Sequence, residues 1–202
     1  MPGDVVRRRG FIIEVVRALL LLLIAIPLLA DTKCACDASQ PETMKDRQCS
    51  LCAEAEKQPP SPAVFFLKDV NPRKPNRTLA LPRMHEPGLH RMAELPADVQ
   101  TALWTAAVGK ARELFPQDDW GIAFNGDHVR TQCHTHIHIG RLLPGVETSN
   151  FIVIDSPASI PAPDDNGYWI HPVEGGQGSA AGHKMKLHLH RGEQITETVL
   201  LR

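Results

Sequence analysis

The chain lacks an excess of charge of either sign: 22 Lys and Arg stand against 23 Asp and Glu, a formal net of −1. Without a basic stripe there is no footprint for a phosphate backbone, so nucleic acid is not an expected partner. Aromatic residues make up only 5% and tyrosine occurs once, so the core has to be mostly aliphatic. No internal repeat is evident, which sets repeat architectures aside. Apolar residues, at 43%, are too many for a disordered composition. These absences leave one globular domain with attachments, and 202 residues suffice to bury a real core. Pro and Gly, by contrast, are frequent between residues 59 and 88 and between 156 and 182, which argues for long ordered loops around a small sheet.

The strongly apolar run is N-terminal. Arg7-Arg8-Arg9 precede Ala18 to Ala30, an uninterrupted apolar stretch that suits a signal-peptide core, and Phe11 to Ala30 is just long enough to span a bilayer. Either reading implies export or anchoring, with the arginines inside and residues 31–202 outside the cytoplasm. Leu28 is a poor residue for cleavage after Ala30, and no lipobox precedes Cys34, so an uncleaved anchor is the expectation.

Cys34-Ala-Cys36 comes next, followed by a short predicted helix from about Pro41 to Gln58 that carries Cys49 and Cys52. Thiols three residues apart on a helix share a face, so Cys49 and Cys52 could bind one metal. In an oxidising compartment they could instead pair with Cys34 and Cys36, and sequence does not give the connectivity.

Alternating apolar runs predict strands at Ala63 to Leu67, Thr78 to Leu81, Trp120 to Asn125 and Phe151 to Ile154. Helical spacing of Val99, Leu103, Ala106, Ala107 and Leu114 predicts a helix from Asp98 to Phe115 between Pro96 and Pro116, with Trp104 in the core. Lys184 to His190 and Gln194 to Leu201 read as a last hairpin around Arg191-Gly192, with His188 and His190 at its surface or edge. The expected fold is α+β: an antiparallel sheet of about five strands with one long and one short helix, plus the N-terminal transmembrane or signal segment. The divisions are 1–30 for that segment, 31–62 for a cysteine-bearing lead-in, 63–155 for the core and 156–202 for a loop-rich extension.

The stretch from Arg130 to Ile139 carries the chemistry. In a strand, His134, His136 and His138 would share one face, with Thr135, Ile137 and Ile139 turned into the core. Three imidazoles together have no packing rationale, and each can serve as nucleophile, acid, base or metal ligand.

Cys49-Ser-Leu-Cys52, Lys68-Asp-Val-Asn-Pro72, Leu79-Ala-Leu-Pro-Arg-Met-His85, Phe124-Asn125-Gly126 and His134-Thr-His136-Ile-His138-Ile resemble, in order, the landmarks of the histidine-triad (HIT) superfamily of nucleotide hydrolases and transferases. The match spans roughly residues 49 to 145. Within that superfamily, Arg130-Thr131-Gln132, the strand end Phe65-Phe66-Leu67-Lys68-Asp69 and the N-terminal segment resemble the membrane-anchored CDP-diacylglycerol pyrophosphatases. Two features depart from that branch. Pro82-Arg83-Met84-His85 looks like the soluble branch, and Arg-Thr-Gln replaces the usual Gly-Gln-Ser/Thr before the triad.

The resemblance implies a HIT-like core over 63–155 and hydrolysis of a nucleotide phosphoanhydride through a nucleotidyl-histidine, with CDP-diacylglycerol giving CMP and phosphatidate. His136 would be the nucleophile, His138 would sit near a leaving or nonbridging oxygen, and His134 would orient its neighbour. Asn125, Arg130, Thr131 and Gln132 would hold phosphate oxygens or the tautomer of His136. Asp69 matches the position that accepts from ribose hydroxyls, although capping the turn before Asn71-Pro72 explains it as well. Cys49, Cys52, His85 and His134 would form a structural zinc set, with no cofactor required for catalysis. Expected partners are a nucleotide or nucleotide-lipid substrate and the membrane, whose headgroups Arg73, Lys74 and Arg77 could meet; relatives often form homodimers. Two other readings stand beside this one: a hydrolase or transferase of soluble nucleotides such as dinucleoside polyphosphates or nucleoside phosphoramidates, and a secreted, non-catalytic metal-binding protein.

Overall fold

The computed structural model describes residues 34–69, 71–86, 89–146, 149–163, 165–173 and 184–202. The anchor or signal segment expected at 1–30 lies outside the described residues, and among these no helix is long and apolar enough to cross a membrane.

Seven strands form one sheet: β1 (Val64–Lys68), β2 (Thr78–Pro82), β3 (Trp120–Phe124), β4 (Ile137–Arg141), β5 (Ile152–Ile154), β6 (Gly167–Pro172) and β7 (Met185–His190). Their order is β1-β2-β4-β3-β6-β7-β5, and every pair is antiparallel. The fold is therefore mixed α and β as expected, with seven strands rather than about five. The histidine strand β4 is interior, paired on both sides by β2 and β3.

Period-two alternation sorts the side chains onto two faces. Ala80, Ile122, Ile137, Ile139, Tyr168 and Ile170 turn to one side and bury against Leu103, Trp104, Ala107, Val108 and Ala111. Those residues belong to α2 (Ala97–Leu114), which starts after Pro96, has Asp98 in its first turn and ends before Pro116. The fixed φ of proline and an acid near the positive end of the helix both favour that start. Ile122, Ile137, Ile139 and Ile170 are fully buried, and truncating any one to alanine should cost about 2–5 kcal/mol.

The opposite face is covered in two places. The short helix α1 (Ser50–Glu56) sets Leu51 and Ala55 on Phe65, Leu79 and Leu81. The C-terminal tail sets Val199 and Leu200 on Ala123 and Trp169. On this face Leu79, His138, Ala123, Trp169 and His188 stand opposite one another across β2, β4, β3, β6 and β7.

Four expectations about elements need correction. The helix expected over Pro41 to Gln58 is regular only as α1; short 3-10 turns at Thr43–Lys45 and Arg47–Cys49 precede it, separated at Asp46 by an extended backbone. Gln194 to Leu201 does not pair back on β7. It forms a 3-10 turn at Thr196–Val199 instead, and β7 pairs with β6, a strand inside what read as loop. His134 and His136 lie in the irregular lead-in to β4, not within the strand. His188 is neither surface nor edge: it is 1% exposed, stacks on Trp169 with centroids 3.6 Å apart, and its Nε2 lies 3.1 Å from that of His171, while His190 is half-buried.

Candidate functional site

The lead-in to β4 owes its shape to crosslinks rather than to sheet pairing. A disulfide joins Cys133 to Cys34, and the Cys133 amide donates to the Gln48 carbonyl at 2.8 Å. Arg130 spans the bend, donating to the carbonyls of His90 at 2.5 Å and Cys133 at 2.9 Å while its Nε lies 3.1 Å from Asp127. The Thr135 hydroxyl donates to the same His90 carbonyl at 2.8 Å. Arg130, expected to contact substrate, thus ties together the segment that carries the histidines.

Within this frame the His136 Nδ1–H donates to the His134 carbonyl at 2.8 Å. A carbonyl only accepts, so the tautomer is fixed and the Nε2 lone pair is left available. Burial, and next the neighbouring His138, hold the His136 pKa down at about 3, so the ring is neutral near pH 7. His134 is held down to about 4, again chiefly by burial, and its Nε2–H donates to the Pro82 carbonyl at 2.8 Å.

His138 presents its ring to that of His136 edge-on, with centroids 4.8 Å apart. Its two nitrogens face carboxylates: Nδ1 lies 3.9 Å from Asp69, and Nε2 lies 3.0 Å from Glu197. Asp69 also accepts from the Asn71 amide at 2.9 Å, so the turn-capping role is realised beside its place near His138. Glu197 is held from several sides: Lys74 pairs with it, Arg77 Nη1 lies 3.3 Å away, and its own amide donates to Asn125 Oδ1 at 3.0 Å. Burial alone would raise the Glu197 pKa, but contacts with His138 and Lys74 outweigh it and hold the carboxyl well below the usual range.

The sheet and tail therefore bring together His134, His136, His138 and Asp69, and reach Asn125 through Glu197. Gln132 sits apart, accepting from the Ser50 hydroxyl at 2.9 Å, and Thr131 is exposed. Lys74 and the buried Arg77 are occupied by Glu197, with Arg77 also donating to the Leu200 and Leu201 carbonyls, so of the three basic residues expected at headgroups only Arg73 stays exposed.

Glu197 was not legible as a site residue, since an acid in a short apolar tail carries no spacing signal. Asp69, His138 and Glu197 are close enough to hold a cation, yet Lys74 and Arg77 already pair with the Glu197 carboxylate there.

The expected zinc set does not assemble. Cys49 is bonded to Cys36, which removes the thiolate it would have to supply. Cys52 is free and buried, and burial pushes its thiol up to about 12. Against known proteins, neither a family model nor a curated sequence matches this chain.

Proposed function

We propose that this chain is a histidine-triad hydrolase of a nucleotide phosphoanhydride, with His136 as nucleophile and CDP-diacylglycerol as substrate. The observation that carries the reading is the hydrogen bond from His136 Nδ1 to the His134 carbonyl, which leaves a neutral Nε2 free to attack phosphorus. An interior antiparallel β4 with a long helix on the far face supports the HIT-type fold.

In the first step Nε2 attacks the cytidylyl phosphorus and the bond from that phosphorus to the bridging oxygen breaks, releasing phosphatidate. Water then attacks the cytidylyl-histidine, giving CMP and restoring the imidazole; the net change is addition of one water. His138 supplies an N–H beside the reacting phosphorus, and Glu197 holds its ring. In this reading Asp69 accepts from ribose hydroxyls. The N-terminal apolar run serves as the anchor that keeps the site at the bilayer where the lipid tails remain, and the two disulfides support maturation outside the cytoplasm.

The test is CMP release from CDP-diacylglycerol in detergent by the wild-type protein and by His136→Ala, with a dinucleoside polyphosphate run in parallel. Lipid-linked turnover that falls at least about a thousandfold in the variant is expected. Turnover of the soluble nucleotide alone would discard the lipid substrate, and turnover of neither would discard the enzyme.

A further inference from the structure

One end of the sheet gathers cations on the side away from the triad. Lys68 closes β1 opposite Thr78 of β2, Thr78 stands opposite Ile139 of β4, and Arg141 follows Ile139 by two residues. Alternation therefore puts Lys68 and Arg141 on the face that α2 covers, opposite to that of His138. Here α2 runs out at Leu114, short of Pro116. The C-terminal tail reaches the same end. The Leu201 amide donates to the Arg141 carbonyl at 2.8 Å and Arg77 Nε donates to the Leu201 carbonyl at 3.0 Å, which brings Arg202 alongside.

Between these elements lies a cleft of about 650 Å3 whose walls carry Lys68, Arg77, Arg141 and Arg202, and among the described residues no acidic side chain lines it. Ligand pockets commonly hold about 300–1,000 Å3. Of the four cations, Arg77 is committed to Glu197, and Arg141 is shared with the partly exposed Asp119, 3.2 Å away and outside the lining. Lys68 and Arg202 have no ion pair among the described residues. Burial lowers the Arg77 pKa, and the charge of Arg202 lowers it further against the pull of Glu197 and Asp69, so like charges crowd at this end. The C-terminal end of α2 carries about half a negative charge, too little to balance them.

Much of the remaining lining is apolar. The Arg141 guanidinium lies over the Phe115 ring, 5.8 Å from its centroid, and Leu114 and Leu201 are 42% and 37% exposed. A free phosphate ion would answer the cations and leave the leucines in water. A headgroup at a bilayer surface answers both, since its phosphate meets the cations while the glycerol and the first methylenes cover the leucines.

We propose that this cleft takes the headgroup of an anionic phospholipid, with the phosphate between Lys68 and Arg141 and the start of the acyl chains over Leu114 and Leu201. The contact expected of Lys74 and Arg77, which Glu197 occupies, passes to Lys68 and Arg141. The site lies apart from the triad, and the inference does not depend on what His136 attacks.

The experiment uses the full chain with its disulfides intact, carrying His136→Ala so that nothing is turned over. It is titrated by calorimetry in nonionic detergent with dihexanoyl phosphatidate, and in parallel with dihexanoyl phosphatidylcholine, glycerol 3-phosphate and inorganic phosphate. Expected is one saturable site for phosphatidate, at least about tenfold tighter than for any of the other three and weaker at high salt. Lys68→Gln with Arg141→Gln should weaken it about tenfold or more, and Leu114→Gln should weaken phosphatidate while leaving inorganic phosphate unchanged. Lys68, Leu114 and Arg141 are all exposed, so these variants keep the fold. Equal affinity for inorganic phosphate or glycerol 3-phosphate overturns the lipid assignment. Phosphatidate binding that is unchanged in the paired variant overturns the site, as does the lack of any saturable binding. Either failure leaves the reaction assigned to His136 untouched, because that is read from turnover by the wild-type protein.

Discussion

His136 keeps its lone pair through the fold, and that has a thermodynamic signature. In an unfolded chain an imidazole titrates near pH 6.5, whereas His136 and His134 are held at about 3 and about 4. Between those limits the unfolded state binds protons that the native state refuses, so stability is full above about pH 6.5 and falls as the solution is acidified towards pH 4 and below. The depressed Glu197 carboxyl acts in the same direction below the usual carboxylate range. Denaturant melts at pH 7.5, 5.5 and 4.5 should show a falling unfolding free energy; one that rises on acidification would contradict the burial of these rings. A second expectation concerns Glu197→Gln. Loss of the carboxylate charge 3.0 Å from His138 Nε2 should lower kcat by about ten- to a hundredfold with KM within twofold, and should reshape the pH profile of kcat. A uniform drop in folded protein with kcat unchanged would mean that the residue only holds the tail. Alternation, a local rule, held only for His138 on β4, whereas His134 and His136 are set by the crosslinked lead-in. Glu197 was not legible, because its place beside His138 comes from how the tail closes over the sheet.

Among the elements, the tail turn Thr196–Val199 is the one that depends most on small residues beneath it. A Cβ on Gly167 would collide with the Thr196 hydroxyl, and one on Gly121 would come within 2.7 Å of a Leu200 methyl. Leu200 can shift at the end of its side chain, but Thr196 is fully buried and has little room. Gly167→Ala is therefore expected to cost about 1–3 kcal/mol and to reduce activity to the level of Glu197→Gln, because lifting the turn carries Glu197 with it. Gly109, on the exposed side of α2 with nothing near its Cβ position, makes the contrast: Gly109→Ala should raise stability by about 0.5–1 kcal/mol and leave activity alone. Thermal melts and initial rates on the two alanine variants check both statements. The long helix and the strands β1 to β4 were legible from periodicity and proline punctuation. Strand β6 was hidden because Pro161, Pro163, Gly167 and Pro172 give its neighbourhood a loop composition, which the glycines between it and β7 continue. The early part of the expected helix gave way where the bond from Cys36 to Cys49 closes a short loop.

At the scale of the whole molecule, the two disulfides differ in reach. Cys34 and Cys133 are 99 residues apart, Cys36 and Cys49 only 13. Loop-closure entropy assigns about 4.7 kcal/mol to a crosslink near the longer span and about 3 kcal/mol to the shorter. Cys34→Ser with Cys133→Ser should accordingly lower the melting temperature more than Cys36→Ser with Cys49→Ser, and should also impair catalysis, since Cys133 abuts His134. Equal shifts in the two double variants would show that the loop argument does not govern here. The class of fold could be read from the chain, whereas the way its cysteines pair could not, because pairing is decided by which loops meet in space. The longer bond also sets a load path. Tension applied at Cys34 crosses one sulfur–sulfur bond and reaches the backbone next to His134 without passing through the sheet or either helix. A chain held by its N-terminal end would keep the His136 imidazole on a short covalent leash, so that even a molecule whose strands had frayed could not carry that ring far from the point of attachment.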